Sequence, residues 1–77
     1  MEEELRQETQ KWLEKIKAER KKITLADTSK ENFIKNIDAY ISDSEHFLAK
    51  HEYILAFEAV IWAWSKLETG KELGILS

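Results

Sequence analysis

A chain of 77 residues, 43 % hydrophobic and 35 % charged, has room for one small domain with a modest core under a charged surface. It has no cysteine, which excludes disulfides and thiolate metal sites, and no proline, so Gly70 and Gly74 leave too little turn chemistry for a sheet. The net charge of −3 excludes a general attraction to nucleic acid or to an anionic membrane.

These limits and the hydrophobic periodicity give an all-α fold: a three-helix bundle, one domain over residues 1–77. The first helix is expected at about 2–22. Leu5, Thr9, Trp12, Leu13 and Ile16 recur at helical spacing on one face. Glu2, Glu3 and Glu4 lead it and Arg20, Lys21 and Lys22 close it, which suits the helix dipole at both ends. Its apolar stripe is narrow, so it packs on one side only. The acidic start MEEELRQETQ does not read as a signal peptide.

A joint at Ile23–Thr28 follows. Thr28 and Glu31 have the spacing of a capping box, which predicts a second helix over about 29–50. Ile34, Ile37, Ile41, Ser44 and Leu48 form its stripe, widened by Phe33, Tyr40 and Phe47. The next joint, His51-Glu52, is so short that helices 2 and 3 must form a tight antiparallel hairpin.

The third helix is expected at about 53–73. Its first part, YILAFEAVIWAW (Tyr53–Trp64), holds one charge, Glu58, and is apolar nearly all round, as a central helix requires. Ala56, Ala63 and Gly70 are spaced by seven, a groove of small residues that lets a neighbouring helix come close. Gly70 costs about 1 kcal/mol relative to Ala in a helix interior, which calls for a packing reason. Gly74 suits the left-handed residue after the helix, with Ile75 and Leu76 folding back behind it. Phe57, Val60, Trp64, Leu67, Ile34, Ile37, Ile41, Leu48, Trp12 and Ile16 form the expected core. No run approaches the roughly 20 apolar residues that cross a bilayer, so a soluble, cytoplasmic protein without a membrane partner is expected.

The C-terminal half carries a recognisable pattern: Asp43, the pair Phe47-Leu48, Tyr53, Ala56-Phe57-Glu58-Ala59, Trp62, Trp64 and the end from Gly70 to Leu76. In these positions it resembles domain of unknown function family 357, a family of small archaeal helical proteins. The resemblance implies an archaeal source and a helical bundle, and it brings no activity or functional residue. His51-Glu52 departs from the Gly-Asp usual at the joint, which asks a non-glycine residue to adopt a left-handed conformation.

Little in the chain carries chemistry. Asp43 and His46, three apart on helix 2, could share a metal, but helical metal sites need further inward carboxylates or histidines, and His51 lies in a turn. Glu58 could serve as a general acid if buried. The helical wheel puts it with Ser65, Glu68, Thr69 and Glu72 on the wet side instead. No metal, cofactor or catalytic residue is assigned, and the protein is not expected to be an enzyme. Lys17, Arg20, Lys21 and Lys22 could touch phosphate, but no aromatic or glycine-rich element accompanies them.

The same wheel puts Ile54 and Ile61 inside the polar sector and Leu55 and Trp62 at its edge. Four such residues together suggest an interface core, unless helix 1 covers them. The leading reading is therefore a non-catalytic helical interaction module that self-associates, as a dimer, through Ile54, Leu55, Ile61 and Trp62. Two alternatives stay open: a small nucleic-acid-associated protein using the basic end of helix 1, and a metal-binding or catalytic bundle using Asp43, His46 and Glu58.

Overall fold

Acidic residues in its first turn, bases in its last and an apolar stripe between them make Glu2–Lys22 the first helix, α1, in a computed structural model that describes residues 1–77. A turn of 3-10 helix at Thr28–Lys30 leads into α2, Glu31–Ala49, and a three-residue break, Lys50 to Glu52, separates α2 from α3, Tyr53–Glu72. No helix is long and apolar enough to cross a membrane.

The start of α2 departs from the expected capping box. Asp27 caps this stretch from extended backbone, its carboxylate accepting from the Ser29 N–H at 3.0 Å and the Ser29 hydroxyl at 2.7 Å. Thr28 is drawn into the tighter 3-10 turn, and α2 begins at Glu31 with no side-chain cap. A short carboxylate is the stronger acceptor, and it stands one residue earlier than Thr28.

Both later helices end in Schellman motifs. At the end of α2, the Glu52 N–H reaches the Phe47 carbonyl at 2.9 Å and the His51 N–H reaches that of Leu48 at 3.1 Å. His51 takes the left-handed turn with φ +62°, a non-glycine in the place of a glycine. At the end of α3, Ile75 donates to Gly70 at 2.9 Å and Gly74 donates to Lys71 at 3.2 Å, with Gly74 at φ +73°.

Contacts fix the directions. Ser44 opposes Ala56 and Tyr40 opposes Trp62, so α2 and α3 run antiparallel. Trp12 meets Trp64 and Glu19 meets Lys71, so α1 and α3 run parallel. The result is a rod of 40 × 17 × 16 Å. The small residues of α3 work as a seam. Ala56, Ala63 and Gly70 are buried, and the buried Ser44 hydroxyl donates to the Ala56 carbonyl at 2.7 Å, which only small side chains on both helices permit. The buried Thr9 hydroxyl is satisfied within its own helix by the Leu5 carbonyl at 2.8 Å.

The core comprises Leu13, Ile16, Ile23, Ile37, Ile41, Val60, Ala63, Leu67 and Leu76. Trp12, Ile34, Leu48 and Trp64 pack against it half-buried, and Phe57 is also half-buried, whereas all five were expected inside. A rod this thin has no space for so many large side chains on its axis. Leu76 folds back behind Gly74 as expected, but the segment it pairs with is one that the sequence does not signal. The tail beyond Gly74 runs antiparallel to the α1–α2 joint, with Thr24 and Ser77 exchanging backbone hydrogen bonds at 2.8 and 3.0 Å and Ala26 donating to Ile75 at 2.9 Å. Leu76 then seats over Gly70 beside Phe33, which supplies the packing reason for that glycine.

Candidate interaction face on the third helix

The side of α3 turned away from the core holds Ile54, Leu55, Ile61 and Trp62, exposed at 68, 43, 43 and 60 %. Helix α1 does not cover them. It lies on the other flank, where Trp12 meets Trp64 edge to face with ring centroids 5.9 Å apart. Glu58 is also exposed and sits among the four, three or four residues from each. Ser65, Glu68, Thr69 and Glu72 continue the exposed face toward the helix end.

The face extends in two directions that the sequence did not mark. Tyr40 of α2 stacks on Trp62, with centroids 6.5 Å apart and planes 26° from parallel. The two positions are equidistant from the turn at His51, and this mirror relation was the available signal. Beside Ile54 and Leu55, a shallow groove opens at the end of the rod, lined also by Met1, Leu5, His51 and Tyr53 and by the acids Glu2 and Glu52. The His51 Nδ1 and the Tyr53 hydroxyl are 2.7 Å apart at its edge.

The three tryptophans differ in how free they are. The Trp12 indole donates to Glu8 at 3.0 Å, and the ammonium groups of Lys11 and Lys15 lie 5.3 and 4.7 Å from its ring centroid. Lys11, and then the Trp12 N–H, hold the Glu8 carboxyl below its ordinary value. The Trp64 indole donates to the Trp12 carbonyl at 3.2 Å. Trp62 touches Tyr40 on one ring face and is otherwise open, the arrangement of an aromatic anchor held ready for contact.

The charged candidates are placed differently. At the basic end of α1, Lys17 pairs with Glu45, and the Arg20 guanidinium grips the Asp38 carboxylate at 2.7 and 3.1 Å. That grip raises the Arg20 pKa above its ordinary value. Lys22 lies 3.9 Å from Glu19, which also receives Lys71 at 3.2 Å. Lys17 and Arg20 therefore bind α1 to α2, and Lys71 binds α3 to α1, uses that spacing along one helix cannot reveal. Asp43 and His46 are exposed on α2, where the His46 ring meets the edge of Phe47, and no three carboxylate or imidazole groups converge on one point. What the arrangement offers chemically is apolar contact with a single acid at its centre.

The model of the family described as "Protein of unknown function (DUF357)" matches residues 6–76. A crystal structure of a protein from Archaeoglobus fulgidus, carrying the same family model, is similar at a TM-score of 0.90 and 53 % identity, over 99 % of this chain and 95 % of that one. A comparison with curated proteins finds no match.

Proposed function

The chain belongs to the DUF357 family, and for this member we propose a non-catalytic, cytoplasmic helical module that self-associates as a dimer through Ile54, Leu55, Ile61 and Trp62. The observation that carries the reading is the exposure of these four apolar side chains on one face of α3, with Trp62 braced by Tyr40. An exposed apolar patch of this size often marks a contact site. Small chains without disulfides or metals gain stability by oligomerising. A two-fold contact lets one patch satisfy itself, and it is the commonest oligomer geometry.

Light scattering on the eluting protein tests this. The wild type runs at twice the chain mass at high micromolar concentration, and Trp62→Glu runs at the chain mass with an unchanged helical circular-dichroism spectrum. A wild type that remains at the chain mass overturns the reading.

A further inference from the structure

Resting on the reading of the α3 face as a self-contact, we propose that two copies join by their third helices, antiparallel, about a two-fold axis passing through Glu58. The four exposed apolar residues lie at positions −4, −3, +3 and +4 from Glu58. An antiparallel two-fold pair sets each position opposite its mirror image through the axis. Centred on Glu58, it brings the Ile54-Leu55 end of one helix level with the Ile61-Trp62 end of the other. Every exposed apolar residue of the face then finds an apolar neighbour.

Shape favours this orientation over a parallel one. The bulky end of the face is Trp62, and the hollow end is the groove beside Ile54 and Leu55. Antiparallel pairing presents each indole to the other copy's groove. A parallel pair sets Trp62 against Trp62 and leaves both grooves empty.

Charge favours it as well. In a parallel pair Glu58, Glu68 and Glu72 each face their own counterpart along the seam. In the antiparallel pair only Glu58 does so. Glu68 lies ten residues from the axis, about 15 Å along the helix, while the partner's α3 begins at Tyr53, about 7 Å from it. Glu68 therefore runs out past the partner helix's N-terminus, clear of its own counterpart.

The area is in the range of a weak dimer. At their exposures the four side chains offer on the order of 450 Å² per copy, against about 800 Å² per partner in a standard interface. Tyr40 and the groove walls add to it. The opposed Glu58 carboxylates hold the affinity down, because two like charges brought together repel.

A cysteine-free chain makes the register directly testable. Glu58→Cys places two thiols on the axis, within disulfide reach of each other. Ser65→Cys lies on the same face, seven residues away, so its two copies are about 21 Å apart in the antiparallel pair but adjacent in a parallel one. Mild oxidation of the full chain should convert most of Glu58→Cys to a covalent dimer and little of Ser65→Cys. Glu58→Gln should bind itself several-fold more tightly than wild type. A Ser65→Cys that crosslinks as well as Glu58→Cys overturns the orientation. Failure of both to crosslink while light scattering reports a dimer overturns the register, as does a Glu58→Gln that associates no more tightly. A wild type at the chain mass by scattering removes the underlying self-contact instead.

Discussion

The Trp64 indole donates its N–H to the backbone carbonyl of Trp12 at 3.2 Å, and the two rings cross at 85°. This pair fastens α1 to α3, beside the narrow stripe of Leu13 and Ile16 and the exposed Glu19–Lys71 ion pair. Truncation at Trp64 removes ring contact, edge-to-face attraction and hydrogen bond together. Trp64→Ala should lose about 3 kcal/mol, the lower end for a large aromatic because the ring is half-exposed. Trp64→Phe should lose roughly half as much. Urea denaturation checks both, and a Trp64→Ala midpoint close to wild type would show that α1 is held elsewhere.

Gly70 lies under Leu76 and Phe33. A Cβ there would come within 2.6 Å of Leu76 Cδ1 and of Phe33 Cε1. Leu76 is buried and tied back by the pairing of Thr24 with Ser77, so it has little freedom to yield. Gly70→Ala should therefore destabilise by about 1 kcal/mol or more, although alanine is the better helix former by about that amount. Amide exchange should quicken at Ala26 and Ser77, whose hydrogen bonds hold the tail. Stabilisation by Gly70→Ala would contradict the close packing.

His51 occupies the left-handed position of the α2–α3 turn at φ +62°. Glycine there relieves the steric cost of a side chain but gives up the contact with the Tyr53 hydroxyl and adds freedom to the unfolded chain. The first effect is the larger. His51→Gly should gain about 0.5 kcal/mol, a rise of about 2–4 °C in Tm, and His51→Val should melt below wild type. A lower Tm for His51→Gly would mean that the imidazole–phenol contact outweighs the backbone term.

Asp27 gives the α1–α2 joint an acid sensitivity. Hydrogen bonds from the Ser29 hydroxyl, and then from its N–H, hold the Asp27 carboxyl below its ordinary value of 3.8. A depressed carboxyl stabilises fully above its unfolded pKa, and the contribution disappears as pH falls through the folded value. Glu8 and Glu3, lowered chiefly by Lys11 and Arg6, act with the same sign. Thermal melts in acid should show Asp27→Ala losing less stability than wild type between neutral pH and pH about 3. Parallel losses in the two proteins would indicate that the cap does not titrate.

Much of the bundle is legible in the sequence, for local reasons. The helix periods, the charges at the ends of α1, the short turn at His51 and Gly74 after α3 are each set by residues close together in the chain. The parts that escape are long-range. The pairing of Thr24 with Ser77 joins two irregular segments 53 residues apart, and irregular backbone leaves no periodic trace. Arg20 reads as a helix-end charge until the fold brings Asp38 to it. On the candidate face, the wheel picks out Ile54, Leu55, Ile61 and Trp62 because period alone places them opposite the core. Tyr40 and the groove come from neighbouring elements, so the period of α3 cannot find them.

The three indole N–H groups provide the most direct test of the α3 face. Trp12 is bonded to Glu8 and Trp64 to the Trp12 carbonyl, both within one chain, whereas Trp62 lies on the open face. In nitrogen–proton correlation spectra of the wild type recorded over a dilution series, the Trp62 indole signal should move with concentration while those of Trp12 and Trp64 stay in place. Three signals unmoved from high to low micromolar concentration, with diffusion of a single chain throughout, would contradict the account.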